Sequence, residues 1–384
     1  MYTILSAVIF IGALIISLQW FFGIQKLATL KDEPTVDEKK GGISVSVIVA
    51  AKNEEQDIRK SIESLLQQSY QPLEIIVVND RSTDRTKEIL EGLLVKSMDH
   101  SSLYPPFKLI TISELPEGWL GKNHALYVGA QHATGDWLLF ADGDVFFSKN
   151  AISKAIHYVK RKKLDHLTLM PENIKGTWSY RSFHSYWSVI GIWNFIQLGH
   201  AGVGAFNLMK RTVYDAIGTH KALPLAPDDD LKLGKKVVQH GFKQQLGFGN
   251  GLIRIQWYEN VKEVIQGLQK NLYAFMRYNF LVSIFFSLVI VLVHIVPFIG
   301  VFFSNPIAKG FHVATLLLYS GIYFYNSRYV NESPWFVITI PFNGAIFIYC
   351  ILRSMLKAMI KGNVEWRGTH YSLKTLKDGA RKKN

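Results

Sequence analysis

Apolar residues change their spacing along the 384-residue chain. Residues 2–24 are almost all apolar, enough for a helix to span a bilayer. From residue 44 the runs shorten. The stretches 44–51, 73–78, 107–112 and 137–141 are rich in Val, Ile and Leu with little alternation, the pattern of strands buried on both faces. Between them the apolar positions take helical spacing. Ile58, Ile62, Leu65 and Leu66 predict one helix, with Asn53 as its cap; residues 83–95 and 122–133 predict two more. This alternation predicts an α/β fold, a mostly parallel sheet wrapped by helices, with ligands at the carboxyl ends of the strands.

Beyond residue 170 the pattern changes. Residues 178–198 interleave Trp178, Tyr180, Phe183, Tyr186, Trp187, Trp193 and Phe195 with Ser, His and Arg. A helix in the headgroup layer fits this, and so does an aromatic core helix. Residues 261–279 predict a second interfacial helix. Long apolar blocks return at 281–303, 311–325 and 335–352; the second is short unless 306–309 joins it, and the third carries Pro341 and Gly344, so a kinked or re-entrant course is open.

The expected organisation is a membrane anchor over 1–25, a linker over 26–42 and an α/β domain over 43–260. An interfacial helix over 261–280, two or three spans over 281–360 and a basic tail over 361–384 complete it. Lys26, Lys31, Lys39 and Lys40 follow the anchor, so the positive-inside rule puts the α/β domain in the cytoplasm of a multi-pass cell-membrane protein. One span before the domain and three after it leave the tail outside, against the same rule. Either a late segment does not cross or the tail breaks the rule; a cytoplasmic tail is the expectation.

The formal charge of +13 suits an anionic membrane face and phosphorylated substrates. Nucleic acid is not an expected partner, because no reading motif accompanies the charge. Cys350 is the single cysteine, which excludes an intrachain disulfide and a cysteine metal cluster. Phosphate-loop, His-Glu-x-x-His and serine-elbow signatures are absent.

The candidate chemistry lies at the strand ends. Asp142-Gly143-Asp144 closes the run 137–141, where two carboxylates can hold one divalent cation, Mg²⁺ or Mn²⁺; the triplet is also ordinary turn chemistry. Asp80 ends the second strand and can accept a hydrogen bond from a uracil-like N–H, or cap its own turn. Glu54 is placed to hold a base or ribose, or to cap a helix. Lys122 opens a helix, where its ammonium and the helix N-terminus can face a diphosphate; a surface lysine is the alternative. Asp228, Asp229 and Asp230 crowd three acids before an apolar-periodic segment, enough to raise one pKa toward a useful range, or merely to favour a helix dipole.

Five motifs occur together and in order: Val-Ile-Val-Ala-Ala-Lys-Asn-Glu at 47–54, Val-Val-Asn-Asp-Arg-Ser-Thr-Asp at 77–84, Gly-Lys-Asn-His-Ala-Leu at 121–126, Ala-Asp-Gly-Asp at 141–144 and Asp-Asp-Asp-Leu-Lys-Leu-Gly at 228–234. This set resembles family 2 glycosyltransferases over about residues 42–280. The end segment 362–371 is similar to that of membrane-bound, lipid-modifying members, among them the bacterial carotenoid-acid (diaponeurosporenoate) glucosyltransferases. The resemblance implies a GT-A catalytic domain and inverting transfer of one sugar from a nucleotide sugar, a UDP-hexose, to a lipid-soluble acceptor at the cytoplasmic face. It implies Asp230 as base with Asp229 beside it, Glu54, Asp80, Lys122 and Asp142 on the nucleotide sugar, and Asp142 and Asp144 on the metal, Asp144 foremost. The polymer-making members' Gln-x-x-Arg-Trp signature is missing; residues 251–257 read Gly-Leu-Ile-Arg-Ile-Gln-Trp. Arg254, Gln256 and Trp257 then form a strand or contribute to the site, and Trp366-Arg367 is a candidate replacement over the donor. A processive polysaccharide synthase is the alternative reading.

Overall fold

A computed structural model describes residues 2–35, 42–99, 104–174, 176–366 and 369–373. The middle of the expected linker, Arg367 and the basic tail from residue 374 lie outside the described residues. The chain folds into two compact units, each assembled from separate stretches: residues 27–174 with 199–256, and residues 1–26 with 175–198 and 257–384.

The first unit is built on a sheet. Its strands are β1 (Ala28–Thr29), β2 (Val45–Ala51), β3 (Leu73–Asp80), β4 (Phe107–Ile112), β5 (Trp137–Asp142), β6 (Val145–Phe147), β7 (His166–Met170), β8 (Glu172–Asn173), β9 (Asn207–Lys210), β10 (Gln244–Phe248) and β11 (Ile253–Ile255). Eight of them form one sheet in the order β1-β10-β7-β9-β5-β2-β3-β4, parallel except for β9, which runs antiparallel to both neighbours. β6, β11 and β8 form a small second sheet, so Arg254 is a strand residue.

The weak alternation in the sequence has a direct cause. Val45, Val47, Val49 and Ala51 of β2 point into one apolar cluster with Ile75, Val77 and Leu139. Ile48 and Ala50 point into another on the opposite face, with Ile76, Val78, Leu138 and Phe140. Both faces are covered, and each buried Val, Ile, Leu or Phe among them contributes about 1.5–3 kcal/mol.

Three expectations need correction. Ala28–Thr29, placed in the linker, pairs with Gly247 and Phe248 as the edge strand β1. The α/β domain is not continuous from 43 to 260, because Lys175–Leu198 packs with the terminal helices. Asn53 does not cap the next helix, which begins at Ile58 with Asp57 at its N-cap. Its backbone is left-handed (φ 56), and its side-chain oxygen accepts the Thr83 N–H at 2.8 Å, tying two strand-end loops together.

The second unit is helical. Tyr2–Ile24, Phe280–Phe303, Pro306–Val330 and Pro334–Lys361 are each long and apolar enough to cross a membrane. The middle late block is thus a full-length helix, because Asn305 caps it by accepting the Ala308 N–H at 3.0 Å and Pro306–Lys309 join its first turn. Tyr2–Ile24 runs parallel to it, with Phe10 against Phe311 and Phe21 against Tyr325. Phe280–Phe303 runs antiparallel, since Tyr319 donates its hydroxyl to Val293 O at 2.9 Å and Gly300 packs on His312. Trp178–Leu198 and Val261–Phe275 are helices, as expected.

Candidate functional site

The parallel strands bring their acids to one edge of the sheet. Ala51 is level with Asn79 and Ala50 with Asp142. β9 runs the other way, so its first residue, Asn207, arrives at that edge opposite Phe140. Helix Gly121–His132 starts there with Lys122 in its first turn, and helix Asp229–Gln239 starts with two acids.

Between these elements lies a small cleft of about 10 Å³, lined by Lys122, Asp142, Asn207, His220, Asp229 and Asp230 among others. Lys122 Nζ is 2.7 Å from Asp142 Oδ1. Burial alone would lower the lysine's pKa, but the charges of Asp142, Asp229 and Asp230 outweigh it and raise it. The two neighbouring acids are driven apart. Asp229, 3% exposed, resists burial through Lys122 and through His220 Nε2, 3.5 Å from its Oδ2, and is held below the ordinary range. Asp230 is pushed up to about 7 by burial and by repulsion from Asp229 and Asp142, against the pull of Lys122. One carboxylate is therefore locked ionised while its neighbour can take up a proton near neutral pH.

The histidine behind Asp229 is itself held by Tyr214. Its backbone N–H donates to Tyr214 Oη at 3.2 Å, and that hydroxyl lies 2.7 Å from Nδ1. Tyr214 thus holds the ring from the Nδ1 side and turns Nε2 toward Asp229.

Four residues singled out in the sequence thus share the cleft: Lys122, Asp142, Asp229 and Asp230. Asp80, Glu54 and Asp144 lie outside its lining. Asp80, 2% exposed, is gripped by the Arg81 guanidinium in a fork at 2.7 and 3.0 Å, so a base N–H would have to share it. Glu54 sits beside the Asp-Gly-Asp turn, its Cγ 3.5 Å from the place a Cβ on Gly143 would take. Its carbonyl, not its carboxylate, accepts the Asp57 and Ile58 N–H groups that start the helix. Asp228, the third acid, pairs with Lys232 at 2.7 Å.

Asp142 and Asp144 supply hard oxygens, and a Cβ on Gly204 would lie 2.7 Å from Asp142 Oδ2, so glycine keeps that oxygen approachable. No group of three or more His, Cys, Asp or Glu able to hold a metal occurs among the described residues. Two carboxylates fit a hard divalent ion that takes the rest of its shell from phosphate and water.

Sequence reasoning missed His220, Asn207 and the glycine stretch 199–204. The last carried a signal, three glycines in six residues. A Cβ on Gly202 would lie 1.8 Å from Asp230 O, and one on Gly234 1.7 Å from Ala201 O. Backbone therefore touches backbone where the helix bearing the acids is seated.

The chain is similar to several known proteins. The family described as Glycosyl transferase family 2 matches residues 46–218. The 4,4'-diaponeurosporenoate glycosyltransferase of Staphylococcus haemolyticus (strain JCSC1435) is 27% identical over 249 residues, 62% of this chain and just under two thirds (64%) of that relative's length. The enzyme of the same description in Staphylococcus aureus (strain bovine RF122 / ET3-1) is 25% identical over 345 residues, 86% of this chain and 88% of its own. Among solved structures, the mannosyltransferase PcManGT from Pyrobaculum calidifontis, in complex with GDP-Man and Mn²⁺, matches with a TM-score of 0.56 at 15% identity. The match covers 94% of this chain and 99% of that one, and it supports the fold alone.

Proposed function

We propose that the chain is a family 2 glycosyltransferase of GT-A fold, and that it transfers one sugar, with inversion, from a UDP-hexose to a lipid-soluble acceptor at the cytoplasmic face of the membrane. The observation that carries the reaction class is the divided acid pair, Asp229 held ionised and Asp230 poised near neutrality beside Lys122 and Asp142. Support for a lipid acceptor comes from the names of the two staphylococcal relatives and from four helices able to cross a membrane.

Asp230 accepts the proton of the acceptor hydroxyl as its oxygen attacks the anomeric carbon. The bond from that carbon to the diphosphate breaks, and its electron pair leaves with the nucleoside diphosphate. A single displacement turns an α-linked donor into a β-glycoside. Lys122 offsets negative charge gathering on the leaving diphosphate, while His220 holds Asp229 in place. Mg²⁺ or Mn²⁺ held by Asp144 with Asp142 would neutralise the same charge as a Lewis acid. Asp80 and Glu54 orient the nucleoside.

Membranes containing the protein, incubated with a panel of labelled nucleotide sugars and Mn²⁺ or Mg²⁺, provide the test. Metal-dependent label in the organic phase, strongest with one UDP-hexose, is the expected result. Label confined to long water-soluble or insoluble polymer would replace this reading with processive synthesis. A further expectation concerns seating: Gly202→Ala should lower kcat about a hundred-fold, because a backbone collision at Asp230 O displaces the base by a fraction of an ångström to an ångström. Unchanged kcat in that variant would show that Asp230 need not sit where it does.

A further inference from the structure

The helix Pro334–Lys361 has the length and composition of a span, yet its neighbours within the helical unit put both its ends at one level. The antiparallel contacts of Phe280–Phe303 with Pro306–Val330, and the parallel ones of Tyr2–Ile24, set Ile24, Phe280 and Val330 on one side and Tyr2, Phe303 and Pro306 on the other. Pro334 follows Val330 by four positions, so the last segment starts on the first of these sides.

Its contacts there are polar. Glu332 is buried and receives Arg181 Nε at 3.0 Å and His184 Nδ1 at 3.2 Å. Asn343 Nδ2 donates to Ser182 O at 3.1 Å and to Ser182 Oγ at 2.8 Å. Gly344 then passes Ile290 and His294, about halfway along Phe280–Phe303.

The reversal lies where the 3-10 turn Pro334–Thr339 meets Ile340–Lys361, and that unbroken helix runs back out from this depth. Ser354 Oγ donates to Gln269 O at 2.7 Å and accepts the Tyr273 N–H at 3.1 Å. Met355 and Ala358 share an apolar cluster with Tyr273, Met276 and Tyr278, immediately before Phe280 begins. A span entering beside Val330 would leave beside Phe303, and this one does not.

The returning end also carries charge. Arg353, Lys357 and Lys361 recur every four residues, which sets them on one helix face. They line an open groove of about 570 Å³ with Leu356 and Ile360, which are 51% and 83% exposed. Arg353 is fixed in orientation, donating from Nε to Gln269 Oε1 and from Nη1 to Tyr349 Oη, both at 2.8 Å. Exposed aliphatic side chains beside aligned cations at the end of an apolar helix match one occupant, a phospholipid with an anionic headgroup.

We propose that Pro334–Lys361 enters and leaves the bilayer on a single face, and that its last two turns hold anionic phospholipid headgroups on Arg353, Lys357 and Lys361. This inference rests on the reading of the other three long helices as bilayer spans. It would also bring the basic tail to the face on which Ile24 ends, removing the charge conflict in the sequence.

The test uses the full-length protein with Cys350→Ser, into which Gln25→Cys, Lys309→Cys or Lys361→Cys is introduced singly. Variants that retain transferase activity are treated with a membrane-impermeant maleimide before and after the cells are opened. Positions 25 and 361 should label together, and position 309 in the opposite condition. Labelling of 361 with 309 would overturn the single-face course. Labelling of 25 with 309 would remove the spans themselves, and this inference with them, irrespective of 361. For the headgroup half, phosphatidylglycerol and phosphatidylcholine are titrated into the purified protein in detergent. Preference for phosphatidylglycerol should fall about five-fold per neutralised charge, and on the order of a hundred-fold in R353Q/K357Q/K361Q. Equal binding of the two lipids by the unaltered protein would overturn it.

Discussion

Asp230→Asn should lose about a thousand-fold or more in kcat while the protein becomes more stable. Removal of a general base costs about 10²–10⁴ in rate. The gain in stability follows from the same burial. A carboxyl raised from 3.8 to about 7 is ionised at a cost in the folded state. The contribution is unfavourable above that folded value and vanishes below the unfolded one, so stability should fall as pH rises through about 7. The full shift corresponds to about 4 kcal/mol as a ceiling. Asp230 is partly solvent-accessible, so a rise of about 1–2 kcal/mol at pH 8 is the expectation. In the unaltered enzyme kcat/KM should drop on the acid side of about pH 7, where the base is protonated. Rates across pH and apparent melting temperatures of the two proteins decide this. An active Asp230→Asn protein, or one less stable at pH 8, would remove Asp230 from the role of base.

Lys122→Met should be damaging on both counts, activity and stability. The ammonium lies 2.7 Å from Asp142 and offsets Asp229 and Asp230 as well. Removing it leaves three carboxylates facing one another across the cleft, and breaking a buried pair in this way costs about 3–5 kcal/mol. The lysine is 19% exposed along its side chain, which favours the lower end. In the proposed mechanism its loss also deprives the leaving diphosphate of a cation, so KM for the nucleotide sugar should rise on the order of a hundred-fold. The acid limb should move to higher pH, because Lys122, with the Leu231 N–H, holds the Asp230 pKa down. Lys122→Arg keeps the charge and should recover stability better than rate, since a planar guanidinium cannot occupy an ammonium's place beside Asp142. Unchanged KM in Lys122→Met would remove the diphosphate role.

These predictions depend on residues of unequal visibility in the sequence. The sheet was legible because buried parallel strands declare themselves: Val45–Ala51 and Leu73–Asp80 have almost no polar alternation to confuse with a surface strand. Lys122, Asp142, Asp229 and Asp230 were legible for another reason, their order along the chain in motifs resembling one family. What stayed hidden was contact made across long separations. His220 reaches Asp229 only because a left-handed Thr219 (φ 57) turns the chain beneath Phe140, and an isolated His in a sequence says nothing of that. Asn207 reaches the cleft because β9 is reversed, and Asn-Leu-Met-Lys has no mark of direction. Ala28–Thr29 is two residues long, too short for any period to register. The third late apolar block was ambiguous for a deeper reason, since hydropathy measures affinity for lipid and not the path through it.

The reversed strand has a consequence for how the molecule is made. β9 fills the slot between β5 and β7, so those two strands cannot be joined until Asn207–Lys210 has left the ribosome. By then Trp178–Leu198 has already emerged and can meet its partners on the first helix, Trp20 donating to Val189 O at 3.2 Å and Gly23 lying against Ile196. Synthesis from the N-terminus thus leaves the inner edges of β5 and β7 unpaired across the interval in which the aromatic helix docks. Attachment can therefore precede closure of the sheet, and an excised sheet unit would have to bridge residues 174 and 199 by some other means before its central strand could find its place.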